Sequence, residues 1–205
     1  MSSLEIRERI CRLGNSFFER GLTFGRTGNI SARIGDRIWL TPTGVSLGQL
    51  DPNHLAEIDL EGKHVAGAMP SKEAFLHAAF YRARPDAGAV VHTHSTHSVA
   101  VSILQDIDPE NVLPPLTAYY AMRVGTLPLV PYHAPGDTSL RQTAEDLARN
   151  HHAILIANHG PVVAGRDLES AADALEELEE TAKISLLLNG RNIRPLTKNQ
   201  AQSLS

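Results

Sequence analysis

Two short apolar runs, residues 87–91 (AGAVV) and 153–157 (AILIA), each lead into histidine: His92-Thr93-His94 follows the first and His159-Gly160 the second. Such runs read as buried strands, in which alternate side chains share a face. His92 and His94 therefore point the same way at the end of one strand. His159 holds the equivalent place just past the other. Packing those two ends together would converge three imidazoles on one ion. Three imidazoles suit zinc and leave a position for water or substrate, which is the catalytic rather than the structural arrangement. A lone His-x-His pair reads just as well as core packing or surface decoration. The second strand end turns the pattern toward a metal.

At 205 residues, 42% hydrophobic and 20% charged, the chain suffices for one well-buried domain, expected to span 1–205. No linker, internal repeat or low-complexity segment divides it. A net charge of −4 gives no basic footprint for nucleic acid. Cys11 is the single cysteine, so it forms no internal disulfide and suits a reducing compartment. It lies on the apolar side of the first helical pattern, where packing explains it better than nucleophilic chemistry. The chain shows no charged start with an apolar core and no run approaching a membrane span, so a cytoplasmic protein away from membranes is expected.

Helical and strand patterns alternate along the chain. Ile6, Ile10, Leu13 and Phe17 recur at helical spacing, with Cys11 and Phe18 widening the stripe and Gly21 and Gly25 closing it. Residues 29–33 and 37–40 flank Gly35-Asp36 as a hairpin, and a second pair of short strands surrounds Gly62. Ser71 is placed to cap a helix carrying Phe75, Leu76, Ala79 and Phe80, which ends before Pro85. Further helices are expected over 96–104, 138–150 and from Asp167 to about Asn189, with a short strand at 127–131. The tail from about 196 is polar and expected to be loosely ordered. Mixed hairpin and separated strands with many helices predict one α/β domain, a mixed or antiparallel sheet covered by helices.

Five separated motifs then fall in a known order: Thr27-Gly28-Asn29-Ile30-Ser31, Thr41-Pro42-Thr43-Gly44, Pro70-Ser71-Lys72-Glu73, His92-Thr93-His94-Ser95 and Ala157-Asn158-His159-Gly160. From the first helix to about Pro195 the chain resembles the class II aldolase/adducin family. Residues 70–73, 123–132 and 176–183 look most like its branch that decarboxylates phosphorylated four-carbon 3-oxo sugar acids. The resemblance implies the three-layer class II aldolase/adducin-like fold, its central mixed or antiparallel sheet flanked by helices. It also implies one zinc ion per subunit, a small sugar-acid phosphate as substrate, and a homotetramer with sites at subunit interfaces. Manganese or cobalt would also suit histidine ligands.

The chemistry agrees with the residues. Loss of carbon dioxide from a β-keto acid leaves an electron pair delocalised into the ketone as an enediolate. A chelated cation stabilises that charge as a Lewis acid. Breaking a carbon–carbon bond to release an aldehyde gives the same intermediate, so a sugar-phosphate aldolase of the L-fuculose-phosphate type is the alternative activity. The family resemblance makes Glu73 the proton carrier and an occasional metal ligand. Taken alone, Glu73 reads as a helix N-terminal acid. Phosphate recognition falls to Asn29, Thr43, Gly44, Ser71 and Lys72 by the same resemblance, although turns and a cap explain most of these individually. The aldolases carry a small hydroxyl residue where Lys72 stands. Its charge fits a substrate bearing both phosphate and carboxylate, and a solvated helix lysine is the plain alternative.

By its spacing Tyr119 matches a tyrosine that, in the aldolases it resembles, reaches a neighbouring subunit's site and helps with proton transfer. That makes it the second catalytic candidate. Tyr120 lies one residue out of register, and simple packing is the plain alternative. His97 reads as packing or support for the metal strand, and His151 and His152 as helix-end residues. His54, His64, His77 and His133 look isolated. The run from Glu176 to Glu180 reads as a solvated helix face or subunit contact. An adducin-like scaffolding domain is the non-catalytic alternative, disfavoured because all three histidines and the acid are in place. An epimerase of the family would carry Asp at the Glu73 position.

Overall fold

A computed structural model describes residues 2–204. One eight-stranded sheet runs through the molecule. Its strands are β1 (Asn29–Ile34), β2 (Arg37–Leu40), β3 (Ala56–Ile58), β4 (His64–Gly67), β5 (Ala89–His92), β6 (Leu129–Val130), β7 (Ala153–Ile156) and β8 (Gly160–Gly165). They lie in the order β4-β3-β2-β1-β5-β8-β7-β6. Every neighbouring pair is antiparallel except β6 and β7, so the sheet is mixed as expected.

The helices are α1 (Ser3–Glu19), α2 (Ala74–Ala83), α3 (Thr96–Ser102), α4 (Ala118–Arg123), α5 (Leu140–Ala148), α6 (Leu168–Leu187) and α7 (Lys198–Gln202). Strand alternation divides the core into two layers. Ile30, Val91, Leu155 and Val163 pack with Ile10, Phe17, Leu175 and Leu178 of α1 and α6. Val90, Ile154, Ile156 and Val162 face the other way, onto Phe75, Leu76 and Phe80 of α2 and Leu140 and Ala144 of α5. Adjacent residues alternate between layers because strand side chains have a period of two. Burying a side chain such as Phe17, which is fully enclosed, contributes roughly 1.5–3 kcal/mol.

Phe18 widens the first helical stripe less than its position suggests, being 41% exposed. Cys11 is half-buried against the first layer, and burial pushes its thiol up to about 11. Four features depart from the expectations. α2 starts at Ala74 with Glu73 at the cap position, while Ser71 caps the turn before it, its Oγ accepting from both Glu73 N and Asn29 Nδ2. α4 carries no signal in the sequence pattern, and α7 gives the polar tail a helical turn capped by Thr197. The acidic run on α6 is not a plain solvated face. Glu179 is buried and accepts from His97 N, His97 Nδ1, Ser98 N and Ser98 Oγ at the start of α3. Among the described residues no helix is long and apolar enough to cross a membrane.

Candidate metal centre and active site

The register of the central strands builds the site. Asn29 opposes His92 across β1 and β5, and His92 opposes Val162 across β5 and β8. The end of β5, the start of β1 and the β7–β8 turn therefore meet at one end of the sheet. In that turn His159 N donates to Ile156 O at 3.1 Å, and Asn158 takes a φ of 58°. At Gly160 (φ 151°) an added Cβ would lie 2.2 Å from the Thr93 carbonyl oxygen. Glycine there lets the turn press against the segment carrying His92 and His94.

Glu73 completes the cluster from the α2 layer. It stands at the N-cap of α2 yet makes no side-chain capping bond, so a simple helix-end acid does not describe it. Its carboxylate reaches the histidines instead, with Oε1 3.1 Å from His159 Nε2 and Oε2 3.4 Å from His92 Nε2. His94 Nε2 lies 3.1 Å from Nε2 of both His92 and His159. These donor atoms all fall within 4.8 Å of one another. Metal–ligand bonds of about 2.0–2.2 Å in a tetrahedron put the ligands roughly 3.3–3.6 Å apart. The donor set thus has the chemistry and the size for a divalent ion.

Electrostatics point the same way. His92 is fully buried and its Nδ1 donates to the Pro161 carbonyl at 2.8 Å, which leaves the Nε2 lone pair aimed inward. Burial lowers the His92 and His94 pKa values, that of His94 to about 3, which favours the neutral rings that ligation needs. Burial works against ionisation of Glu73, but the His92 and His159 imidazoles and the Asn29 amide outweigh it and hold the carboxyl well below the usual carboxylate range. Neutral imidazole lone pairs meeting a carboxylate in a buried space call for a cation between them. His159 Nδ1 is buried and without a hydrogen-bond partner among the described residues.

The expected phosphate residues lie beside this cluster. Ser71 N donates to Thr41 O at 3.3 Å, Thr43 N to Met69 O at 3.0 Å, and Pro42 bridges Pro70. Two loops therefore run side by side, presenting Thr43, Gly44 and Ser71 together, with Gly44 at a φ of 74°. Ser71 Oγ accepts from Asn29 Nδ2 (3.1 Å) and Glu73 N (3.3 Å), which turns its own hydroxyl hydrogen outward. Lys72 is exposed, its stem facing Gly136. Asn29 is committed more deeply than expected: Nδ2 also donates to Glu73 Oε2 at 2.8 Å, and Oδ1 accepts from His77. Both amide hydrogens are then in use within the protein.

Tyr119 and Tyr120 separate cleanly. Tyr120 is fully buried, while Tyr119 is 59% exposed with the Arg123 guanidinium 5.1 Å from its ring centre. Ser31, His77 and Tyr81 had no assigned role, yet they extend from Asn29 as a buried polar chain. His77 is not isolated. The signal for it was its position four residues after Glu73, with Tyr81 four further on, which sets all three on one helix face.

Comparison with known proteins agrees with this geometry. The family described as Class II Aldolase and Adducin N-terminal domain matches residues 8–186. The chain is 46% identical over its full length to the 3-oxo-tetronate 4-phosphate decarboxylase of Haemophilus influenzae, covering 98% of that protein. It is 37% identical to the L-fuculose phosphate aldolase of Escherichia coli K12, over 81% of this chain and 75% of that one. Among solved structures, Escherichia coli YgbL superposes with a TM-score of 0.95 at 45% identity, covering 98% of each chain. An L-fuculose 1-phosphate aldolase superposes at 0.90 with 25% identity, covering all of this chain and 96% of that one. This chain belongs to the class II aldolase and adducin N-terminal domain family.

Proposed function

We propose that this protein is a metal-dependent carboxy-lyase converting a 3-oxo-tetronate 4-phosphate to dihydroxyacetone phosphate and carbon dioxide. The convergence of the Glu73 carboxylate with Nε2 of His92, His94 and His159 carries the reading. Full-length 46% identity to a decarboxylase supports it over the aldolase alternative. His92, His94 and His159 would hold the ion, zinc by preference, which when bound supplies Lewis-acid charge to the substrate's ketone oxygen.

The remaining work belongs to the chain. Thr43, Gly44, Ser71 and Lys72 seat the phosphate, with Asn29 beneath them. Anchoring that end places the ketone and the neighbouring hydroxyl before the histidines. The C1–C2 bond then breaks, its electron pair entering the C2–C3 bond while the ketone π pair moves to oxygen, and carbon dioxide leaves. Glu73 takes a proton from solvent and delivers it to C2, giving dihydroxyacetone phosphate. We place the protein in the cytoplasm as one domain assembled into a homotetramer, with Tyr119 extending toward a neighbouring subunit's site.

Purified protein given a 3-oxo-tetronate 4-phosphate should release carbon dioxide and dihydroxyacetone phosphate, and a chelator should stop it. A parallel incubation of dihydroxyacetone phosphate with small aldehydes tests the alternative. Carbon–carbon bond formation there, without decarboxylation, would move the assignment to the aldolase. Glu73→Gln should lower kcat by roughly 10²–10⁴-fold while the histidines retain the metal. Full activity in that variant would remove the acid from the mechanism.

A further inference from the structure

The α2 layer of the site contains a buried polar chain longer than the metal cluster needs. Glu73, His77 and Tyr81 fall on one face of α2, and Asn29 and Ser31 on the matching face of β1. Their side chains join in sequence. Tyr81 OH lies 2.9 Å from Ser31 Oγ, which lies 2.7 Å from His77 Nδ1. His77 Nε2 meets Asn29 Oδ1, and Asn29 Nδ2 lies 2.8 Å from Glu73 Oε2. Ser31, His77 and Tyr81 are almost wholly enclosed, at 0%, 0% and 1% exposure, so each must find its partner within the chain.

The direction of every bond follows from its last member. An ionised carboxylate only accepts, so Asn29 must turn its NH2 toward Glu73 and its oxygen toward His77. His77 must then carry its hydrogen on Nε2 and accept on Nδ1 from the Ser31 hydroxyl. Ser31 in turn accepts from Tyr81. Burial keeps the His77 ring neutral, with its pKa lowered to about 3, so it has one hydrogen and one lone pair to assign. Reversing the amide would set Asn29 oxygen against the carboxylate and its NH2 against the hydrogen-bearing nitrogen of His77.

We propose that His77 is a positioning residue for the proton carrier: by donating from Nε2 to Asn29 it locks the amide whose NH2 holds Oε2 of Glu73. Ser31 and Tyr81 accommodate the tautomer this requires, since each hydroxyl can donate toward His77 along the chain. Glu73 Oε2 is thereby occupied, and Oε1 is the oxygen that carries the proton. Asn29 becomes the link between the buried chain and the chemistry, its second amide hydrogen going to Ser71 Oγ.

The kinetic part rests on Glu73 acting at the enediol carbon, so the test reads that step directly and adds one measurement independent of activity. In ¹⁵N-histidine spectra of the metal-free protein, His77 should show a protonated Nε2 and an unprotonated Nδ1. The opposite tautomer would overturn the proposal. The kinetic arm follows deuterium entering dihydroxyacetone phosphate from D2O, a reaction common to the decarboxylase and aldolase readings, in two variants. The amide of His77→Gln falls at the Nε2 position and restores the donor, whereas that of His77→Asn falls at Nδ1 and cannot reach Asn29. The Gln variant should exchange within about fivefold of wild type. The Asn variant should lose roughly 100-fold in kcat with KM within twofold. Equal losses in the two variants, or a loss confined to KM, would show that His77 merely packs. Failure of wild type to decarboxylate, with exchange and this ranking intact, would sink the substrate assignment and leave the positioning role standing.

Discussion

Removing Glu179 tests how the metal segment is held from behind. Its carboxylate accepts two backbone N–H groups and two side-chain donors at the start of α3, which begins two residues past His94. In Glu179→Ala all four donors lose their acceptor. The His97 side chain is 38% exposed and regains water at little cost. Ser98 is fully buried, so its N–H and hydroxyl are stranded. Each such loss costs about 1–3 kcal/mol, giving roughly 4 kcal/mol for the pair. At about 2–4 °C per kcal/mol for a chain this size, the melting temperature should fall by on the order of 10 °C. Urea unfolding followed by far-ultraviolet circular dichroism measures the loss. Glu179→Gln should fall between, because its NH2 faces donors it cannot accept. The pH dependence has a definite sign. Burial pushes the Glu179 carboxyl up, but the Ser98 hydroxyl and the His97 and Ser98 N–H groups hold it below the ordinary value of 4.5. A depressed carboxylate contributes its full stabilisation above 4.5 and loses it as pH falls through the lower folded value, so wild type and Glu179→Ala should converge in that acid range. A loss below about 1 kcal/mol at pH 7, or a difference that grows on acidification, would refute the assignment of Glu179 as the anchor of α3.

Gly160→Ala should cost several kcal/mol, on the order of 3–5, because its Cβ would meet the Thr93 carbonyl oxygen at 2.2 Å; unchanged stability and metal content would contradict that close approach. Lys72→Ser should raise KM for a substrate bearing phosphate and carboxylate by roughly tenfold or more while kcat changes little, and an unchanged KM would return Lys72 to the solvated surface. Cys11, its thiol raised to about 11 by burial, should remain unalkylated by iodoacetamide at pH 8 in the native protein and react on unfolding, since only about one thiol in a thousand is ionised there. Rapid native labelling would overturn that environment.

The parts legible in the sequence were those with a short-range signature. His92 and His94 follow from a period of two at a strand end, and the β1–β2 hairpin follows from Gly35-Asp36. The Asp167 cap of α6 likewise stands in its own few residues. What escaped was set by partners far along the chain. His77 looks isolated until α2 lies across β1, and Glu179 looks solvated until α3 brings two N–H groups onto it. Asn29 sits in a turn-like motif that suggests phosphate, yet its register against His92 turns its amide to Glu73. α4 is too short to show a helical period. Ser71 does cap the turn leading into α2, accepting from Glu73 N, but the same oxygen also accepts from Asn29 on β1, a partner its own few residues do not reveal.

The β5–β8 register and the β7–β8 turn have a consequence for unfolding. Glu73, the His92/His94 segment and His159 are contributed by separate stretches of chain, so an ion seated among them acts as a cross-link between the middle of the sheet and the helix above it. The open chain offers no comparable nest, and tight occupancy therefore adds to stability in proportion to the logarithm of free metal concentration. Denaturation midpoints measured at several buffered metal activities would trace that line, and its slope would report how many ions each folded chain retains.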